Sequence, residues 1–377
     1  MTIRIALIIP TMDRGGAEKQ VCLLAQHLPR EEFDVHVILL TRDGPRSESL
    51  RRHGIPVTII GKRFKADPTA LFRLRNVLRQ WKPDVVHTWL FAANCFGRAA
   101  AKMAGVPRIL GSERCVDRWK TPAHFLLDRH LARYSEAITT NSAGVRDFYA
   151  AHGIDPDLFC IIPNGIEPRD VAEIEREEAY ARLHVPADRK LILAVGRLWP
   201  QKRYRDLIWA AELLATLRAD TTLVIVGDGP QRGELLRFRD AVTTPNHVRF
   251  AGSRDDVAEL LPHANAFWIG SEYEGQSNAV IEAMQAAVPV VASDIPGNRD
   301  LVSADQTGRL VPLGDRAAFA RETHDLLENP AQAEQLGIAA QRRIATEFSV
   351  ESMVNSHAML YRNGHVLPAK NDKQFRS

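Results

Sequence analysis

Apolar runs of strand length recur through this chain, and each is followed by residues whose apolar positions return at helical spacing. This alternation constrains the fold more than any other feature. Strands separated by helices are joined by crossovers, so they lie parallel in a sheet covered on both faces. The first series runs through residues 3–10, 33–40, 57–60, 84–87, 108–111, 137–140 and 159–162. It breaks at 167–188, EPRDVAEIEREEAYARLHVPAD, a charged helical stretch that reads as a connector. It restarts at 191–195 and continues through 223–226, 248–250, 266–269, 290–292 and 307–311. The expected fold class is α/β, with two Rossmann-like parallel-sheet domains facing across a cleft. The expected spans are 1–168 and 188–346, followed by a last helix within 347–365; the polar tail 366–377 is expected to be disordered.

Composition narrows the function. Of 377 residues, 45% are hydrophobic and 25% charged, which suits a water-soluble globular chain. No apolar run approaches the ~20 residues that span a bilayer. The opening MTIRIALIIPTMDRGG reads as a buried strand, not a signal peptide. Cys22, Cys95, Cys115 and Cys160 lie far apart with no CxxC pair, so reduced thiols in a cytoplasmic protein are expected, and no metal site. Residues 1–168 hold 24 Lys+Arg against 17 Asp+Glu, a balance of +7, while the remainder holds 25 against 29, a balance of −4. A basic first half favours an anionic partner. No nucleic-acid-binding signature is present, so an anionic membrane surface is the better expectation.

The stretch 272–289, EYEGQSNAVIEAMQAAVP, reads as a loop that becomes a helix between two strands. Ser277 or Asn278 is suited to cap that helix. Strand-to-helix crossovers are where open α/β sheets bind ligands. Glu274 precedes Gly275, Gln276 and Ser277, and Glu282 falls about a turn inside the helix. Two carboxylates so spaced can hold hydroxyls at both ends of a molecule that carries an anion in its middle. The plainer reading is a capped helix whose glutamates face water.

Other crossovers carry similar signals. Arg197 and Lys202 flank a proline turn after a buried strand and can converge on one anion. Gly15 and Gly16 mark a strand-to-helix turn that lets a phosphate approach the backbone. Each has a plain alternative, solvated cations in one case and a tight turn in the other. Gly227-Asp-Gly-Pro-Gln-Arg-Gly233 is not a dinucleotide fingerprint, because its third glycine is one residue late and the next strand ends without an acid. Asp155-Pro-Asp157 has the DxD form of metal-dependent sugar transferases but reads as a turn. His87 ends a strand, where it can orient a sugar hydroxyl or an acceptor, or can simply be packed.

Together these residues resemble the retaining glycosyltransferases of the GT-B fold, the large bacterial family 4. The motifs are Gly15-Gly-Ala-Glu18, Pro163-Asn-Gly-Ile166, Val195-Gly-Arg-Leu198 with Lys202, Gly227-Asp-Gly-Pro230, and Glu274 with Glu282 before Ala283-Met284. The resemblance implies acceptor binding in the first domain and nucleotide-sugar binding in the second. It implies that Glu282 holds the ribose, Glu274 and residues 275–277 hold the transferred sugar, and Arg197, Lys202 and Gly16 meet the diphosphate. It further implies a last helix that crosses back to the first domain, and no metal or other cofactor beyond the donor. Two positions depart from the pattern: Glu113 stands where many members carry histidine, and Arg203 follows Lys202 where glycine is frequent.

The expected reaction moves a sugar from a nucleotide-diphosphate sugar to an acceptor hydroxyl with retention, by front-face attack. The expected acceptor is a saccharide, lipid-linked or of the cell envelope. A basic helix at 68–82, with Lys62, Arg63 and Lys65 before it, suggests docking on the inner face of a membrane. A nucleotide-sugar epimerase of the same fold and a non-catalytic nucleotide-sugar sensor are the alternatives.

Overall fold

The computed structural model describes residues 2–168 and 172–364. The chain divides into two compact units, Met1–Gly165 with Val350–Ser377, and Ile166–Ser349. The first holds seven strands: β1 (Ile3–Ile9), β2 (Phe33–Leu39), β3 (Val57–Ile59), β4 (Val85–Trp89), β5 (Arg108–Glu113), β6 (Ala137–Thr140) and β7 (Phe159–Ile161). They are ordered β3-β2-β1-β4-β5-β6-β7, and all pairs are parallel. The second unit holds β8 (Lys190–Val195), β9 (Thr221–Val226), β10 (Val248–Gly252), β11 (Ala266–Ile269), β12 (Val290–Ser293) and β13 (Arg309–Val311). Their order is β10-β9-β8-β11-β12-β13, again all parallel.

Central strands in both sheets are largely apolar and buried because helices cover both faces. Ile5 to Ile9 of β1 and Thr221 to Val226 of β9 are buried throughout. The strand order reverses between β1 and β4 in one sheet and between β8 and β11 in the other. Crevices at such reversals are where open α/β sheets take ligands, outside the carboxyl ends of the strands. The anticipated segments follow these four strands: Gly15-Gly16 after β1, His87 on β4, Arg197 and Lys202 after β8, and residues 274–277 after β11.

Two segments differ from the sequence reading. The supposed connector is built into the second unit: the helix Arg176–Arg182 buries Ala179 and Tyr180, and Leu183 and Val185 join the same core. Its abundant charge lies on the outer face and masks these inward residues. A helix at Pro122–Ala132, between β5 and β6, was not anticipated at all. The tail 366–377 lies outside the described residues.

The final helix, Val350–Asn363, packs in the first unit, beside the helix Gly16–His27. Its inward residues meet β4: the Tyr361 hydroxyl lies 2.8 Å from His87 Nδ1, and His357 packs against both Trp89 and His87. Arg108 closes the helix end by donating to the carbonyls of Leu360 and Tyr361, at 2.8 and 2.5 Å. His357 is fully buried, its Nδ1 2.9 Å from the Met353 carbonyl, and burial pushes its pKa down to about 3. An unfolded histidine takes its proton near pH 6.5. The unfolded chain therefore binds the extra proton first, and stability is full above about pH 6.5 and falls below it. Between about pH 7 and pH 5, the wild type is expected to lose about 2 kcal/mol more than His357→Leu, measured by urea denaturation.

Candidate active site

The second unit's candidate residues come from two turns that lean on each other. After β8 the chain makes a tight turn through Gly196 and a short 3-10 segment, Pro200–Lys202. The Gly227–Pro230 turn stacks on it: the amide of Leu198 donates to the Asp228 carbonyl at 2.9 Å, and that of Gln231 to the Leu198 carbonyl at 3.2 Å. Gly227 has φ +142°, and a Cβ there would lie 2.0 Å from the Gly196 carbonyl oxygen. That glycine is needed for close backbone packing, which accounts for the motif without a nucleotide contact.

The turn delivers Lys202 inward, where its ammonium pairs with the Glu274 carboxylate. Both side chains are largely buried. Glu274 also accepts from the Ser271 hydroxyl at 2.7 Å. Behind it, Ser293 donates to the Ser271 carbonyl at 2.6 Å, and the Asn298 amide donates to the Ser293 carbonyl at 2.8 Å. Gln201 adds a bond to the Tyr273 carbonyl at 2.7 Å. The short helix Pro296–Arg299 presses on the same loop, so closely that a Cβ on Gly297 would lie 2.4 Å from the Gly275 carbonyl oxygen. Glu274, Gly275, Gln276 and Ser277 are all buried, so this loop is a fixed scaffold.

The helix that follows is Asn278–Gln285, with Ser277 at its N-cap position, although the serine side chain makes no capping bond. Glu282 is half-buried on the second turn of that helix. Arg197 lies differently from Lys202: it is exposed, with its guanidinium 5.3 Å from the ring centre of Trp199. The structure thus brings Lys202 and Glu274 into contact and leaves Arg197 on the surface of the same turn.

In the first unit, Gly15 is the N-cap of the helix Gly16–His27, and Gly16 is its exposed first residue. Glu18 folds back over Gly15, where a Cβ would lie 2.0 Å from its carboxylate. His87 is fully buried; besides Tyr361, it meets the Thr139 hydroxyl at 3.1 Å, and burial depresses its pKa. Both ring nitrogens are engaged inside the core. Asp155 caps the 3-10 turn Pro156–Leu158, as expected for a turn. Asn164 accepts from Arg114, and Gln20 brackets Gly165 by bonds of 2.8 and 2.9 Å to its amide and carbonyl. The Pro163–Ile166 motif is therefore anchored in the first unit up to Gly165.

The family described as Glycosyltransferase Family 4 matches residues 14–170, and glycosyl transferases group 1 matches residues 175–343. The chain belongs to this glycosyltransferase family. The glycosyltransferase is 27% identical over 312 residues to the Escherichia coli UDP-Gal:alpha-D-GlcNAc-diphosphoundecaprenol alpha-1,3-galactosyltransferase, covering 78% of this chain and 79% of that one. It is also 27% identical over 361 residues to the GDP-mannose-dependent alpha-mannosyltransferase of Mycobacterium tuberculosis, covering 90% and 91%. Among solved structures it resembles Anabaena HepE in complex with UDP and glucose, with a TM-score of 0.85, 21% identity and coverage of 94% and 98%. Its two parallel sheets are those of the GT-B fold.

The glycosyltransferase also contains a buried charge cluster that the sequence did not reveal. Lys120 has a fully buried side chain, with its ammonium 2.9 Å from Asp128 and 3.4 Å from both Glu113 and Asp117. It also donates to the Tyr149 hydroxyl at 2.8 Å, and Asn94 donates to Glu113 at 2.8 Å. Burial alone would lower the Lys120 pKa, but the three carboxylates outweigh it and hold the ammonium above its usual range. One cation cannot neutralise three acids, so burial, with Glu113 beside it, pushes Asp128 up to about 6. Glu113, at the position that departs from the family pattern, is thus enclosed in this cluster at the end of β5.

Proposed function

We propose that this glycosyltransferase moves a sugar, with retention, from a nucleotide-diphosphate sugar to a hydroxyl of a lipid-linked or cell-envelope saccharide. The observation that carries the reading is the Lys202–Glu274 pair, fixed by Ser271 at the carboxyl ends of β8 and β11, beside the reversal of strand order. Donors and acceptors in the names of its relatives support it: UDP-Gal with a diphosphoundecaprenol-linked sugar in one, GDP-mannose in another, and UDP with glucose bound to HepE.

In this reading Lys202 and Arg197 stabilise charge on the departing diphosphate as the glycosidic bond lengthens. Glu274, oriented by Lys202 and Ser271, accepts from hydroxyls of the transferred sugar, alongside the backbone of Gly275, Gln276 and Ser277. Glu282 holds the ribose. Gly15 and Gly16 offer the first unit's backbone to an anion. Bond breaking runs ahead of bond making, and the acceptor attacks from the face the diphosphate leaves. His87, enclosed in the core, takes no part in the chemistry. Cations of the protein serve the diphosphate, so neither a metal nor another cofactor is proposed. A lipid-linked acceptor places the enzyme at the inner face of a membrane as a peripheral protein. No helix among the described residues is long and apolar enough to cross one.

A thermal-shift screen of UDP-, GDP- and ADP-sugars tests the reading. One series is expected to raise the melting temperature, the Glu282→Ala variant is expected to lose that rise, and EDTA is expected to leave turnover unchanged. Anomeric proton spectra of the product are expected to show the donor's configuration. The absence of a shift with every donor, or an inverted product, rejects the proposal.

A further inference from the structure

We propose that the segment Arg118–Tyr134, centred on the helix Pro122–Ala132, is a docking surface for an anionic phospholipid bilayer. The inference rests on the lipid-linked reading for its purpose and on the surface alone for its support.

The helix is unusual in which residues it turns inward. It buries Phe125, Asp128, Leu131 and Ala132. Leu126 and Leu127 point outward, 61% and 41% exposed, with Trp119 before the helix at 55% and Tyr134 after it at 36%. Trp119 is steadied edge-on by Phe91 and His124, at 5.3 and 5.4 Å between ring centres. Adjacent exposed leucines with a flanking Trp and Tyr make an apolar contact with polar-tipped aromatics at its ends, the composition favoured at a membrane interface.

Charge is sorted in the same sense. Residues 113–134 contain three acids, Glu113, Asp117 and Asp128, and all three turn inward onto Lys120. The outer surface keeps Arg118, Arg129 and Arg133, all exposed, with His130 between the last two. Arg129, His130 and Arg133 line a groove of about 570 Å³ beside Leu126, with Asp155 as its single acidic lining residue. A surface whose segment turns its acids onto Lys120, burying Glu113 and Asp128 and leaving Asp117 only partly exposed, while exposing cations and leucines, matches a negatively charged, apolar partner. A saccharide would not require the leucines.

The surface continues toward the basic helix singled out from sequence. The helix Pro68–Trp81 packs on the helix Phe91–Ala104, which in turn packs on Pro122–Ala132. Lys102 lies 5.5 Å above the Tyr134 ring. The Pro68–Trp81 helix itself is partly spent on the fold, because Arg73 donates to the carbonyls of Ile60 and Gly61 at 2.9 and 3.0 Å. Pro68–Trp81 exposes Phe72 at 52%, with Phe64 before it at 58%, whereas Pro122–Ala132 carries two adjacent exposed leucines between Trp119 and Tyr134, and on that count it is the element that enters the interface.

Co-sedimentation of the full chain with phosphatidylglycerol vesicles, against phosphatidylcholine vesicles, tests this at low salt. The wild type is expected to bind the anionic vesicles and to be released by salt. Leu126→Asp with Leu127→Asp is expected to weaken partitioning more than tenfold. Arg129→Glu and Arg133→Glu are each expected to weaken it roughly fivefold. The same variants are expected to keep the wild-type thermal shift with nucleotide sugar, so loss of docking and loss of donor binding are read separately. Absence of wild-type binding to phosphatidylglycerol, or binding undiminished in the leucine variant, overturns the proposal. So does loss confined to Arg63→Glu and Lys65→Glu, or light scattering that shows a wild-type dimer which the leucine changes split.

Discussion

Turnover of the Lys202→Ala variant is expected to fall by roughly ten- to a thousandfold, the range for removing one preorganised donor from a developing charge. Lys202 is held by Glu274 on one side and by the 3-10 turn Pro200–Lys202 on the other, so its ammonium is in place before a donor arrives. A group fixed in advance needs no reorganisation during the reaction, so its loss should fall on kcat more than on KM. The variant leaves Glu274 with the Ser271 hydroxyl, so the loop is expected to stay folded. Lys202→Arg should not restore the rate, because a planar fork cannot take the place of a compact ammonium in a site this closed. Arg197→Ala, from the exposed side of the same turn, is expected to have the smaller effect. Equal turnover of the wild type and Lys202→Ala, measured by nucleotide release, removes Lys202 from the diphosphate.

Stability of the Lys120→Met variant is expected to drop by about 3–5 kcal/mol, the usual result of removing one partner from a buried ionic group. Glu113 and Asp128 are nearly as buried as Lys120 itself and would be left as enclosed acids without a cation. Methionine fills most of the same space, so little of the loss comes from packing. Hydrogen exchange reads the effect by region: amides of β5 and β6 are expected to exchange faster, and those of β8 and β11 to keep their wild-type rates. Adding Asp128→Asn and Glu113→Gln to Lys120→Met should recover part of the stability, since the uncompensated charge is then gone. Unchanged stability of the single variant would mean that water reaches the cluster.

The parallel sheets were legible because strand length and helical spacing are properties of a few consecutive residues. The placement of Lys202, Glu274 and Glu282 after β8 and β11 followed from the same local pattern. What escaped depends on partners distant in the chain. Lys120 and Tyr149 are 29 residues apart, and their charged neighbours look like ordinary surface residues. The helix Pro122–Ala132 was hidden because an inward aspartate and two outward leucines invert the expected periodicity. Its start was signalled all the same by Thr121 before Pro122, a capping residue followed by proline at the first helical position. His87 illustrates the opposite case: the end of a strand is a ligand position in many sheets, but Tyr361, 274 residues later, decides that this ring is packed.

The return of Val350–Asn363 to the first unit has a consequence for biosynthesis. Ile166 and Ser349 pair with each other, and the Ile166 amide donates to the Phe348 carbonyl at 2.8 Å. The second unit thus begins and ends at one place, like a domain spliced into another. A ribosome releases all six of its strands before Val350 emerges, so nothing it needs is missing while translation continues. The N-terminal sheet, by contrast, has to wait for the helix that covers β4 until Val350–Asn363 has been made. Domains usually mature in the order in which they are made; in this chain the half synthesised first is completed last.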